Sequence, residues 1–291
     1  MISLFGDGAL TGRRPGQAFA VTTRIDPASA SMLPVNEAAR VSGAPTAILS
    51  HVSMSYDGRR EVLHDIDFML DQGEFLSIVG PSGCGKSTIL RLISGLVKAT
   101  EGRVEIPSRS GSRTNIGFMF QRDALLPWAD VCANIAVGLE CSGVPKEQHA
   151  GRIKVLLELL GLSEFGHYYS RALSGGMRQR VALGRLLAYD PEIMLMDEPF
   201  GALDAQTKIL MGYELLRIWT DYRKSVVFVT HDIEEAIGLS DRILVMTDRP
   251  GRIKSEYRVD LPRPRDLRGV RKMPVFHQLS EQIWQDIVAN V

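Results

Sequence analysis

Short apolar runs separated by amphipathic stretches set the plan of this chain. Glu74-Phe75-Leu76-Ser77-Ile78-Val79 is a run of strand length that ends in Gly80, and helical spacing follows at once from Lys86 through Ile93. Ile116 to Phe120 and Ile193 to Met196 are further short apolar runs, and Ser225 to Val229 is β-branched and aromatic, the composition of a buried parallel strand. Between these runs the pattern predicts helices over about 146–160, 175–188, 205–220 and 233–239. Strands alternating with helices argue for an α/β sheet covered on both faces, with ligand chemistry at the carboxyl ends of the strands. The mostly helical block between Gln121 and Ala188 interrupts the alternation and is expected to form a second lobe, a helical subdomain over about 122–188.

The two ends read differently. Residues 1–45 are rich in Gly, Ala, Ser, Thr and Pro, with apolar residues at no regular period, and are expected to form a flexible extension. Order is expected to begin near Ala47-Ile48-Leu49, giving a main domain over 46–255. The segment 256–291 continues a Pro- and Arg-rich stretch (Arg249, Pro250, Arg252, Pro262, Arg263, Pro264, Arg265) and turns amphipathic from Val275 to Val288. A solvated basic connector followed by a packing helix is one reading, and contact with lipid headgroups is the other.

Composition narrows the partners. With 34 Lys plus Arg against 34 Asp plus Glu, no global field favours nucleic acid or an anionic bilayer. The three cysteines, Cys84, Cys132 and Cys141, are too few and too scattered for a disulfide framework or a zinc site. No stretch approaches the ~20 apolar residues that cross a bilayer, and the N-terminus lacks a basic region followed by an apolar secretion segment. A soluble chain that stays inside the cell is expected.

Three motifs carry the chemistry. Gly80-Pro81-Ser82-Gly83-Cys84-Gly85-Lys86-Ser87-Thr88 follows a strand and opens a helix, as a phosphate-cradling loop must. Its glycines let backbone N–H groups turn inward around a β-phosphate, Lys86 would bridge the β- and γ-phosphates of ATP, and Ser87 would ligate Mg²⁺. Next, the apolar strand Ile193-Met194-Leu195-Met196 delivers Asp197 and Glu198 at its carboxyl end. Neighbouring side chains on a strand point to opposite faces, so Asp197 is assigned to the metal's shell and Glu198 to polarising the attacking water. Third, in Leu173-Ser174-Gly175-Gly176-Met177-Arg178, Ser174 can cap a helix whose first turn offers unpaired N–H donors, a second anion site. One loop already cradles one nucleotide, so the second site suggests that each ATP lies between two chains.

Motifs in this order resemble the nucleotide-binding subunit of an ABC transporter over roughly residues 46–255. That resemblance implies a P-loop NTPase core with a mostly parallel sheet, an antiparallel β subdomain on its N-terminal side and a helical subdomain. It also implies roles: Tyr56 would stack on adenine, Gln121 would touch Mg²⁺ and water, and His231 would contact the γ-phosphate. Asp204 would link the two sites across the dimer. Asp197-Glu198-Pro199-Phe200-Gly201-Ala202-Leu203-Asp204 is similar to importers rather than exporters. Gln121 with Leu125-Leu126-Pro127-Trp128, and Arg249-Pro250-Gly251-Arg252 with Leu261-Pro262-Arg263-Pro264-Arg265, resemble the nitrate, sulfonate and taurine importer branch. Met177 departs from the Gln common in the wider family but follows the glycines whose N–H groups matter.

The implied partners are a second copy of the chain, multi-span permease subunits and, indirectly, an extracytoplasmic solute-binding protein, with no nucleic acid. The implied place is the cytoplasmic face of the cell membrane, peripherally bound. Leu125, Leu126 and Trp128 would line a groove for a cytoplasmic helix of the permease, or else fill the core of the helical lobe. Cys84 is either a thiol activated by nearby amides and Lys86 or a buried inert one. An ABC-type ATPase acting on nucleic acid is the competing class, disfavoured by the single motif set, the missing heptads and the balanced charge.

Overall fold

The computed structural model describes residues 45–107, 114–122, 124–201 and 203–288. Apart from Pro45, the expected N-terminal extension lies outside the described residues. In chain order the elements are β1 (Pro45–Ser55), β2 (Glu61–Asp71), β3 (Phe75–Val79), α1 (Lys86–Ile93), β4 (Glu101–Glu105) and β5 (Ile116–Met119). The chain continues through α2 (Val131–Cys141), α3 (Lys146–Leu159), α4 (Gly175–Tyr189), β6 (Ile193–Asp197) and α5 (Ala205–Tyr222). It ends with β7 (Ser225–Val229), α6 (Ile233–Leu239), β8 (Arg242–Met246), β9 (Ile253–Arg258) and α7 (Pro274–Val288).

Two sheets result. A six-stranded sheet runs β5-β6-β7-β3-β8-β9, parallel except for the last pair, and a three-stranded antiparallel sheet runs β2-β1-β4. The two-residue alternation of strands sorts the apolar side chains of the large sheet by face. Phe75, Met194, Met196, Val226 and Phe228 join the core under the helical lobe and α5. Leu76, Ile78, Leu195, Val227 and Val229 join the opposite core, against α1 and the antiparallel sheet. Both faces are therefore covered, and β3, β6 and β7 end together at one edge of the fold.

Helix starts follow from capping chemistry. Asp130, Ser174, Asp204 and Asp232 each accept a backbone N–H from the first turn of α2, α4, α5 and α6. The caps of α5 and α6 follow the carboxyl ends of β6 and β7, and those of α2 and α4 lie in the helical lobe.

The tail corrects one expectation. It is not a solvated connector: β9 pairs antiparallel with β8 from Ile253 to Arg258, and the Arg265 side chain is 0% exposed. Arg265 donates to the carbonyls of Ile237, Gly238, Ser240 and Val259, while Arg263 forms a salt bridge with Asp241 at 2.7 Å. The Arg263 guanidinium also lies 4.0 Å from the centroid of the Trp219 ring. Burial pushes Arg265 down to about 10. Beyond it, α7 seats Phe276, Leu279 and Ile283 in the core beside Ile237 and Val245.

Candidate active site

The loop between β3 and α1 owes its shape to glycines in the left-handed region. Gly80, Gly83 and Gly85 have φ of 152°, 83° and 105°. Space is restricted as well: a Cβ at Gly85 would lie 2.5 Å from Leu63 Cδ2, and one at Gly80 would lie 2.9 Å from the Met246 carbonyl. Lys86 opens α1 and curls back over the loop, donating to the carbonyls of Gly80 and Pro81 at 2.8 Å each. Its ammonium is thus held at the centre of the concavity, where a phosphate would exchange for carbonyls.

Strand β6 sets the second part. Asp197, only 6% exposed, accepts from Ser87 Oγ at 2.8 Å, which brings together two of the three expected metal ligands; the third, Gln121, meets Glu198 instead. Burial pushes the Asp197 carboxyl above the usual carboxylate range, against the Ser87 hydroxyl, with Glu198 adding to the rise and the charges of Arg91 and Lys86 opposing it. A hydroxyl beside a carboxylate is a hard-oxygen donor set that fits Mg²⁺.

Glu198 is the meeting point of the remaining polar groups. Gln121 Nε2 donates to Glu198 Oε2 at 3.1 Å, and His231 Nδ1 lies 3.2 Å from the same oxygen. Three separate strands, β5, β6 and β7, deliver these residues from their carboxyl ends. The backbone at Glu198 has φ 45°, a left-handed conformation that a glutamate adopts at a cost, and it is pinned by Glu198 N–H to the Val229 carbonyl at 2.9 Å. Nothing in the sequence signals that strain.

Other expected residues stand around this centre. Tyr56 is 54% exposed, with its hydroxyl 3.3 Å from Thr88 Oγ1, so its ring flanks the start of α1. Ser82 and Pro81 complete the loop. Ser174 accepts from the Met177 N–H at 3.3 Å, leaving Gly175 and Gly176 in the first turn of α4. Asp204 accepts from Gln206 and Thr207 N–H at 3.1 and 3.0 Å, a cap on α5 within this chain.

Two expectations change. Cys84 is fully buried, and burial raises its thiol despite Lys86 nearby, so the activated-thiol reading is overturned. The Leu125 to Trp128 cluster divides: Leu125 packs partly buried against the helical lobe's core, whereas Trp128 is 74% exposed. Sequence reasoning also missed Lys208, which bridges α5 to Glu235 and Asp232 of the α6 start at 2.9 and 3.6 Å. A lone lysine in a helix carries no such signal.

A phosphate-cradling loop, a carboxylate pair at a strand end and a Ser-capped glycine helix on one α/β scaffold place the chain in a definite class. It belongs to the ABC transporter family of ATP-binding proteins, whose profile, described as ABC transporter, matches residues 63–201. An uncharacterized ABC transporter ATP-binding protein of Methanocaldococcus jannaschii is 48% identical over 214 residues, spanning 72% of this chain and 80% of that protein. The taurine import ATP-binding protein TauB of Roseobacter denitrificans is 42% identical over 228 residues, 77% of this chain and 85% of its own. Among solved structures, a dimeric ATP-binding cassette in a post-hydrolysis state bound to ADP and phosphate superposes with a TM-score of 0.65. It is 32% identical, covering 74% of this chain and all of that one. Among the described residues, no helix is long and apolar enough to cross a membrane.

Proposed function

We propose that this chain is the ATP-hydrolysing subunit of an importer, working as a pair of copies beneath separate membrane-spanning subunits. The carrying observation is the convergence of Gln121, Glu198 and His231 on one carboxylate oxygen beside the Ser87–Asp197 pair. Gly80 to Thr88 would hold the phosphates of ATP through backbone N–H groups and Lys86, and Tyr56 would flank the base. Ser87, Asp197 and Gln121 would hold Mg²⁺, which neutralises charge on the β- and γ-phosphate oxygens when bound. Glu198 accepts a proton from water, Gln121 orients that carboxylate, and His231 stands across from it where the terminal phosphate would lie.

Ser174, Gly175 and Gly176 are more than a local cap on this reading. Their free N–H groups at the α4 start serve the nucleotide of the second copy, and Asp204 lies on the same face. The dimeric cassettes among the similar structures support pairing. Names of relatives such as TauB support uptake of a small anionic solute of the taurine, sulfonate or nitrate type. A groove of about 430 Å³ lined by Phe118, Phe120, Val137, Cys141, Arg185 and Tyr189, with exposed Trp128 on the connection leaving it, suits a helix of the membrane subunit.

Glu198→Gln tests the scheme. Phosphate release should fall by about 100-fold or more, while ATP with Mg²⁺ should convert the variant to a dimer in light scattering. A variant that stays monomeric with ATP bound removes the shared-site reading.

A further inference from the structure

The Arg249-Pro250-Gly251-Arg252 string, noted above only as a mark of resemblance, lies directly against the phosphate-binding loop. Arg249 Nε donates to the Gly83 carbonyl at 2.8 Å. Gly251 touches the next peptide: a Cβ there would lie 2.0 Å from the Cys84 carbonyl oxygen and 2.8 Å from Met246 Cε. Only glycine permits that approach. The turn itself is anchored on two sides. Gly251 N–H donates to the Val62 carbonyl at 2.9 Å, and His64 N–H donates to the Gly251 carbonyl at 3.0 Å, tying it to β2. Thr247 N–H donates to the Arg252 carbonyl at 2.9 Å, and Arg252 N–H donates to Thr247 Oγ1 at 2.9 Å, closing it onto the end of β8.

Peptide planarity turns these outer contacts into an inner geometry. In a trans peptide the carbonyl and the following N–H point in opposite directions. Fixing the Gly83 carbonyl outward on Arg249 therefore aims the Cys84 N–H inward, and it points across the loop to the Pro81 carbonyl at 3.5 Å. Packing the Cys84 carbonyl against Gly251 aims the Gly85 N–H inward in the same way. Successive N–H groups on one side of a loop make an anion-binding concavity.

We propose that Arg249 and Gly251 are positioning residues for nucleotide binding: the turn is a fixed brace that holds the Cys84 and Gly85 amides toward the phosphates. This rests on the reading of the loop as an ATP site. Neither residue touches the nucleotide, so Arg249 acts through a hydrogen bond rather than through its charge. That distinction is testable, because Arg249→Met and Arg249→Gln remove the charge equally while only Gln retains an N–H donor.

The experiment titrates a fluorescent ATP analogue with Mg²⁺ into the full chain and follows melting of the nucleotide-free protein. Arg249→Met should weaken binding about tenfold, the loss of one charge-assisted hydrogen bond, and Arg249→Gln should stay within about threefold of the parent chain. Arg249 is exposed, so neither variant should shift the melting temperature appreciably. Gly251→Ala should weaken binding more than Arg249→Met. Equal losses for Met and Gln, removed by raising the salt concentration, would assign Arg249 to simple charge attraction and overturn the brace. So would an Arg249→Met variant that binds like the parent. If the parent chain itself fails to bind the analogue while remaining folded, the nucleotide reading fails and the brace with it.

Discussion

At the scale of single residues, the site trades stability for chemistry at Asp197. Its carboxyl is buried and pushed upward, because burial disfavours the charged form. The sign follows from proton linkage: a raised folded-state value gives stability that is present below the ordinary carboxylate range and lost as pH rises through the elevated one. Asp197→Asn keeps an acceptor for Ser87 and removes the charge. It should therefore raise the melting temperature of the nucleotide-free chain while abolishing Mg²⁺-dependent hydrolysis, with each kilocalorie of gain moving the midpoint by about 2–4 °C. Scanning calorimetry at pH 7 and pH 5 checks this. The difference between the two chains should shrink at the lower pH, and a less stable Asn variant at pH 7 would contradict the assignment. Metal binding would run the opposite way with pH: on the proposed reading Asp197 serves as an ionised ligand, so Mg²⁺ affinity should weaken as pH falls.

At the scale of elements, α5 and α6 are coupled by a short polar chain behind the site. Lys208, one turn into α5 from Asp204, contacts Glu235 at 2.9 Å, and Thr230 Oγ1 donates to the other oxygen of Glu235 at 2.7 Å. Asp232 N–H then donates to Thr230 Oγ1 at 3.0 Å, which fixes the turn that presents His231. Burial alone would lower the Lys208 amine, but Glu235 and Asp232 outweigh it and hold it above its ordinary value. Lys208→Met leaves Glu235 nearly buried without its cation and should cost about 2–4 kcal/mol of stability. Adding Glu235→Leu should recover most of that stability, because an apolar pair can replace a buried ionic one. Hydrolysis should remain slow in the double variant, since the tether to the His231 turn is gone. Denaturation and phosphate-release assays on the single and double variants decide the matter, and full recovery of turnover in the double variant would refute the tether.

These elements were legible to different degrees. The runs ending in Gly80, Asp197 and His231 are near-continuous apolar strands because both faces of the sheet are covered, and helical spacing fixed α1, α4, α5 and α6 closely. The contacts of Lys208 and Arg249 were invisible because their partners lie far off in sequence: the Arg249 contact with Gly83 spans 166 residues. Glu198 was legible as chemistry, yet its positive φ was not, since no local sequence rule demands it.

At the scale of the whole molecule, the tail and the helical lobe differ in how they relate to the sheet that carries the site. Proline and arginine suggested a solvated tail, but the strand β9, the carbonyl cage around Arg265 and the stacking of Arg263 on Trp219 make it part of the catalytic body. Composition misled here because arginine satisfies buried carbonyls as well as it meets water. The lobe presents the opposite case. Trp128 is an aromatic that stays 74% exposed, beside a connection that leads straight back to Gln121 at the site. Arg185 Nη1 donates to the Ala124 carbonyl at 3.0 Å, so that connection is fastened to α4, the helix that carries Ser174 and the glycines. Movement of a helix docked on this face would thus bear on the Gln121 end of the connection and on the start of α4 together. Trp128→Ala should leave the isolated chain's stability within about 0.5 kcal/mol, as truncation of an exposed side chain does. Basal ATP hydrolysis should persist, whereas uptake in membranes holding the complete transporter should fall by about tenfold or more if Trp128 anchors the contact. Parallel loss of basal hydrolysis and melting temperature would instead assign Trp128 to the fold, and unchanged uptake would move the docking surface elsewhere on the lobe.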